Sequence, residues 1–163
     1  MAALTSLIVT INICGIISDT KISLLNSFIQ QHQYDIVLLQ EVSVSNFNFF
    51  GYKEIINVGP ERRGTALLFK ENLPIAQVVK LPCGRGIAAK FGHVNVLNIY
   101  APSGSHNRQA RSLFFAVDIL PLFANVVDDI ILAGDFNSVL RDTDTTGHAN
   151  ICGSLRALWR AFT

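Results

Sequence analysis

The sequence predicts an α/β fold in which mostly antiparallel strands form two β-layers with helices outside them. Three observations carry this. The chain opens strand, helix, strand. Its middle is a run of short β-rich segments at intervals of roughly ten residues, each closed by turn residues. The stretch Asp129–Val139, DIILAGDFNSV, is an apolar run that stops at a glycine and then presents an acid and an amide. A strand of that kind aims polar groups out of the end of a sheet, and Gly134 permits a turn or a close approach.

The elements follow in order. Leu4–Ile13 (LTSLIVTINI) has the Ile, Leu, Val and Thr of a strand buried on both faces. Asp19 is the expected N-cap of a helix over about Thr20–Gln33. There Ile22, Leu25, Phe28 and Ile29 fall near helical spacing, with Lys21, Asn26 and Gln30 toward water. Asp35–Glu41 reads as a second buried strand closed by a carboxylate. Tyr52–Asn57, Gly64–Lys70, Ile75–Lys80, Gly86–Phe91 and Val94–Tyr100 read as a meander of hairpins. Ala101–Gly104 is a loop by composition. A second helix is predicted over about Asn107–Phe123, with Leu113, Phe114, Val117, Leu120 and Phe123 on its apolar side and Pro121 kinking or shortening it. A strand over Asp129–Phe136 follows, then a polar loop from Arg141 to Asn150. Leu155, Leu158, Trp159 and Phe162 have the spacing of an amphipathic helix with Trp159 in the core. No strand follows for this helix to pack under, so the fold reads as incomplete at the C-terminus.

Length and composition bound the function. A chain of 163 residues, half apolar and 15% charged, is a compact, core-rich domain, predicted as one unit over 1–163. The formal net charge of +1 gives no global basic field, so contact with a polyanion must come from local cations. Cys14, Cys83 and Cys152 are odd in number and far apart, which argues against a disulfide framework or a zinc site. They are expected to be small buried apolar residues in a reducing compartment. The apolar start has no basic region, is shorter than a membrane span and is interrupted by Asn12. A soluble intracellular protein with no membrane partner is expected.

Asn12, Glu41, Tyr100 and the Asp135/Asn137 pair each follow an apolar run, so each is placed at a strand end, where layered sheets build sites. Together they suit phosphate chemistry. Glu41 is a hard oxygen ligand for Mg²⁺, and Asn12 can supply a carbonyl oxygen or orient that carboxylate. Asp135 can activate a water. Asn137 and the Tyr100 hydroxyl can stabilise charge on non-bridging phosphate oxygens. Read singly, Asp135 and Asn137 also fit a plain Asx turn after a strand, Glu41 a solvated strand-end acid, and Tyr100 a core tyrosine.

The series Thr10-Ile11-Asn12-Ile13-Cys14-Gly15, Leu39-Gln40-Glu41, Asn98-Ile99-Tyr100-Ala101-Pro102 and Gly134-Asp135-Phe136-Asn137 resembles the endonuclease/exonuclease/phosphatase (exonuclease III / DNase I-like) superfamily. The NIYAP and GDFN forms, with Arg63-Gly64-Thr65-Ala66 between them, look closest to the endonuclease domain of LINE-type non-LTR retrotransposons. The resemblance implies a four-layer α/β/β/α sandwich. It implies Asn12 and Glu41 as the metal-site pair for Mg²⁺ or Mn²⁺ and Tyr100 near the scissile phosphate. Asp135 would orient or deprotonate the nucleophile, with Asn137 beside it. The implied reaction nicks one DNA strand for target-primed reverse transcription, in the nucleus, with a reverse transcriptase in the same parent polyprotein.

The chain departs from the family in carrying Cys14 for a second asparagine and Ser103 after the YAP triplet. It also lacks the family's terminal Ser-Asp-His, and His32, His93, His106 and His148 lie in no such motif. The chain by itself is therefore expected to be nearly inactive. Arg63, Arg108, Arg111 and Ser103 are candidates for nucleic-acid contact. Arg62, Arg63 and Arg85 can equally be a solvated face, and the Arg141–Gly147 loop, with Asp142 and Asp144, either a DNA-contacting loop or a connection. Arg108 and Arg111 open a helix whose N-terminal dipole opposes their charge. Two other functions share the motifs: a non-catalytic retrotransposon-derived remnant, and a phosphoesterase acting on another phosphate ester.

Overall fold

The computed structural model describes residues 6–15, 18–124, 126–139 and 152–160. The Arg141–Gly147 loop, His148 and Phe162 lie outside the described residues. The elements are β1 (Ile8–Asn12), α1 (Asp19–His32), β2 (Ile36–Val42), β3 (Tyr52–Val58), β4 (Gly64–Lys70), β5 (Gln77–Lys80), β6 (Gly86–Phe91), β7 (Val94–Tyr100), α2 (Arg108–Leu113), β8 (Asp129–Asp135) and α3 (Gly153–Arg160). The chain divides into two compact units. The first holds the described residues up to Tyr100 with Asp128–Gly134, and the second those of 101–127 and 135–163.

The first unit contains two four-stranded sheets, in the orders β1-β2-β4-β3 and β5-β6-β7-β8. The opening strand–helix–strand closes as a parallel β1–β2 pair, with Ile8 opposite Ile36 and Asn12 opposite Gln40. The hairpins predicted from turn chemistry form as antiparallel β3–β4, β5–β6 and β6–β7 pairs. β2 and β4 are the central strands of the first sheet, and their side chains alternate between two cores. Val37, Leu39, Ala66 and Leu68 face Ile29 of α1, with Ile22 and Leu25 beside it. Ile36, Leu38, Leu67 and Phe69 face Ile87, Ala89, Phe91 and Val96 of the other sheet. An apolar run of period two with both faces covered is what IVLL and ALLF encode. Burying one such Leu or Ile contributes about 1.5–3 kcal/mol.

Several expectations are corrected here. β1 is an edge strand with partly exposed residues, not buried on both faces. Paired along one edge only, it packs Val9 and Ile11 against the α1-side core and Ile8 against the inter-sheet core, each only partly buried. The N-cap of α1 is Ser18, whose side chain accepts from the Lys21 amide, so Asp19 moves into the first turn, where its charge suits the dipole. Gln33 ends that helix in the left-handed conformation.

In the second unit the predicted single helix is four pieces. A 3₁₀ turn (Ser105–Asn107), α2, a π-helical stretch (Phe114–Ile119) and a 3₁₀ turn (Leu120–Phe123) follow one another. Pro121 offers no amide to the turn before it, and a wider turn carries the chain to it. The extra residue per turn rotates the buried face. Phe114, Phe115 and Ile119 are inside, while Leu113, Val117 and Leu120, predicted inside, are exposed. α3 buries Leu155 and Leu158 but leaves Trp159 54% exposed, against expectation. Cys14 is exposed, Cys83 half-buried and Cys152 buried, so only one cysteine is the small core residue expected of all. Among the described residues no helix is long and apolar enough to cross a membrane.

Candidate metal and phosphate site

In the first unit, register brings the first two motif residues together. Asn12 is the last residue of β1 and lies opposite Gln40. Glu41 does not close β2, as the sequence suggests; the strand continues to Val42. The pairing to β4 slips between Gln40 and Val42, and Glu41 sits in the resulting bulge with φ +60°. A non-glycine residue held there costs on the order of 1–3 kcal/mol, and bulges re-aim side chains at sites. The Asn12 side-chain amide donates to Glu41 Oε1 at 3.1 Å, and Asn12 Oδ1 accepts from the Cys14 amide at 2.9 Å. Asn12 thus orients the carboxylate while its own oxygen fixes the turn after β1. Lys21 of α1 donates to the carbonyls of Gly15 (2.9 Å) and Cys14 (3.4 Å), closing that turn from the helix side.

These donors fit a hard cation. They are a carboxylate and a carboxamide, with no thiol or imidazole among them, and the described residues hold no cluster of three or more His, Cys, Asp or Glu suited to a metal. One carboxylate with retained water is how proteins commonly hold Mg²⁺.

Tyr100 ends β7 and is 1% exposed. The Arg85 guanidinium lies 5.0 Å above its ring, donates to the Tyr100 carbonyl at 3.4 Å and pairs with Glu61 at 3.0 Å. Arg85 is not the solvated face that is one of its two expected readings: its side chain is 14% exposed and covers an aromatic ring. The two residues face each other across the end of the β6–β7 hairpin, where the Tyr100 amide donates to the Arg85 carbonyl at 2.9 Å.

In the second unit, Asp135 and Asn137 form an Asx turn. The Asn137 amide donates to Asp135 Oδ1 at 3.0 Å, and Asn137 takes φ +47°. Asn137 Nδ2 donates to the Ala101 carbonyl at 2.9 Å, and Ala101 donates its amide to the Asp135 carbonyl at 2.8 Å. The Asx turn expected as the plain reading of this stretch is formed.

The candidates for nucleic-acid contact divide. Arg63 and Arg108 are exposed, and Ser103 is half-buried, its carbonyl accepting from Asn107 Nδ2 at 2.7 Å. Arg111 is corrected: it is 1% exposed and donates to the carbonyls of Pro102 (2.6 Å) and Gly104 (3.2 Å). It ties down the 101–104 loop instead of facing a phosphate. Burial, with the like charge of Arg108 adding, pushes its guanidinium below the ordinary arginine pKa.

The family model described as the Endonuclease/Exonuclease/phosphatase family matches residues 9–152. No curated protein matches the chain. Solved structures do. An AP endonuclease from Archaeoglobus fulgidus is 20% identical at a TM-score of 0.71, covering 94% of this chain and 68% of its own. A Neisseria 3′ phosphatase, NExo, bound to product DNA hairpin is 17% identical at 0.74, covering 96% and 69%. TDP2 from C. elegans is 19% identical at 0.62, covering 86% and 49%. The chain therefore spans about two thirds of the first two and half of the third, with the DNase I-like α/β fold in common.

Proposed function

We propose a function on one premise: the chain belongs to the endonuclease/exonuclease/phosphatase family, whose hydrolases act on phosphate esters. It is read as a Mg²⁺-dependent phosphodiester hydrolase that nicks DNA, the endonuclease of a non-LTR retrotransposon. The observation that carries the reading is the Asn12–Glu41 pair, a carboxylate turned out of its ladder by a bulge and held by an amide at 3.1 Å. Glu41 would hold the cation, with Asn12 setting the carboxylate's angle. The bound cation would supply charge neutralisation at phosphate oxygens. Asp135 takes the proton of an attacking water, and Tyr100 and Asn137 are assigned to the phosphate oxygens.

DNA as substrate is supported by the 3′ phosphatase, which is bound to product DNA hairpin, and by the AP endonuclease. The retrotransposon branch rests on the NIYAP, GDFN and RGTA forms of the motifs. With it go a nuclear site of action and a reverse transcriptase in the same polyprotein. Exposed Arg63 and Arg108 are assigned to DNA phosphates. A second reading is a retrotransposon-derived remnant that binds DNA without turnover.

Plasmid nicking separates the two. The first reading expects only weak relaxation of supercoiled DNA by the wild-type chain with Mg²⁺, in keeping with the near-inactivity expected of it, with EDTA stopping that residual nicking and Glu41→Ala slowing it by about a hundredfold or more. Nicking that survives Glu41→Ala unchanged sinks the assignment of Glu41. Silence from the wild type with intact folding favours the remnant.

A further inference from the structure

Two motif residues have no part in the chemistry above. Gln40 stands beside Glu41, and Asn98 stands two residues before Tyr100. Both are buried, at 1% and 0% exposure, beside an inter-sheet core of apolar residues. Gln40 Nε2 donates to Asn98 Oδ1 at 2.7 Å, across the gap between the two sheets. The same nitrogen reaches Thr10 Oγ1 of β1 at 3.0 Å and the Leu38 carbonyl at 3.2 Å. Asn98 Nδ2 donates to the carbonyls of Leu39 (2.9 Å) and Ala66 (2.8 Å). Those two carbonyls belong to one rung of the β2–β4 ladder, and the ladder slips beyond the next rung, Gln40 opposite Thr65. The Gln40 main-chain carbonyl, in turn, accepts from the Ile13 amide at 3.1 Å.

We propose that Gln40 and Asn98 are a positioning pair, an inter-sheet carboxamide clamp that sets where the Glu41 carboxylate meets Asn12. The inference deepens the proposed function and rests on its metal assignment. Apolar packing between sheets is non-directional, so it tolerates a small slide of one sheet on the other. Buried amides do not, because each displaced donor or acceptor is left unsatisfied in low dielectric. The clamp lies one residue before the bulge, and the strand it grips carries the carboxylate. Through Thr10 it also grips β1, which carries Asn12. Its grip on Asn98 fixes the strand ending in Tyr100, whose side chain lies on the same face two residues on.

The test uses the double variant Gln40→Met/Asn98→Leu, which removes both amides together so that neither is stranded opposite the other. Ile87→Val is the control: it trims the same core opposite Asn98 in register and touches no amide. The first readout needs neither metal nor turnover. It is the NMR resonance pair of the Asn12 side-chain amide, assigned through its loss in Asn12→Asp. The second is Mn²⁺ binding followed by the free-ion EPR signal. In the double variant the Asn12 pair moves to the position it takes in Glu41→Ala, and Mn²⁺ affinity falls about tenfold or more, the size usual for losing an outer-shell partner. Ile87→Val leaves both unchanged. Asn98→Asp keeps the size and the acceptor but loses the donors to Leu39 and Ala66, so it moves the Asn12 pair in the same direction. An unmoved Asn12 pair in either folded variant overturns the clamp. A wild type that takes no Mn²⁺ overturns the metal assignment instead, and the Asn12 pair still decides the clamp.

Discussion

Gly134 shows how much one residue can decide. It has φ +131°, and a Cβ there would stand 2.1 Å from the Ile99 carbonyl oxygen, so β8 lies against β7 at a distance no side chain allows. Gly134→Ala must push the backbone of β8 away, and it should cost about 3 kcal/mol. Thermal melts check this, and a variant within about 0.5 kcal/mol of wild type would mean that the strand shifts freely. Glu41 is the counterpart. It adopts a left-handed conformation with a full side chain, a cost that the Asn12 hydrogen bond and the paired strands on either side hold in place. Arg111 carries the opposite lesson: an arginine near a proposed site is enlisted by loop carbonyls.

Among the elements, the entry to β2 is tied by Asp35. Its Oδ1 accepts from Lys70 Nζ at 2.8 Å and its Oδ2 from the Leu7 amide at 2.7 Å, so one carboxylate joins the start of β2 to the end of β4 and the segment before β1. Burial raises its pKa, but the Lys70 hydrogen bond, the Leu7 amide and the Lys70 charge together outweigh burial, and the carboxyl lies below its ordinary value. A depressed folded pKa means that folding favours the ionised form. The stabilisation is full above the unfolded carboxylate's pKa and is lost as pH falls through the folded one. Asp35→Asn should therefore cost about 1 kcal/mol near pH 7 and progressively less below about pH 4. Urea melts across that range check it; a constant difference at every pH would remove the charge from the explanation. The broken second helix belongs to this scale too. Its residues have good α periodicity, yet of the face that periodicity selects only Phe114 is buried, and Phe115 and Ile119 are buried in place of Leu113, Val117 and Leu120.

For the whole molecule, the burial pattern sorts the three cysteines. Cys14, in the exposed turn after β1, should react with a thiol reagent at close to a free-thiol rate, Cys83 more slowly, and Cys152 only on unfolding. Cys14→Ser should delete the fast phase alone. Three equal rates in the native protein would contradict the packing of both units. The two faces of β2 and β4 make the same point about energy. Nearly every apolar residue of these strands is used, half toward α1 and half toward the second sheet, and the buried polar exceptions, Gln40 and Thr65, are the ones with directional bonds, Gln40 to Asn98 of β7 and Thr65 to the Gly84 carbonyl.

The sequence by itself determined the strands that turns delimit. Gly64–Lys70, Gly86–Phe91 and Val94–Tyr100 form with the limits read from glycine, proline and alternation, because those signals are local. It also determined the family, since motif order is a property of the chain alone. Tertiary structure decided what no local signal carries. The slip that puts Glu41 in a bulge depends on how β2 pairs with β4, and the ring under Arg85 belongs to a different strand of the sheet. The exposure of Trp159 and Cys14 depends on what covers a face, which spacing does not encode. Gln40 and Asn98 are 58 residues apart in sequence and 2.7 Å apart in space. A hydrogen bond of that range exists only once both sheets have formed, so the chain could name the two amides but not join them.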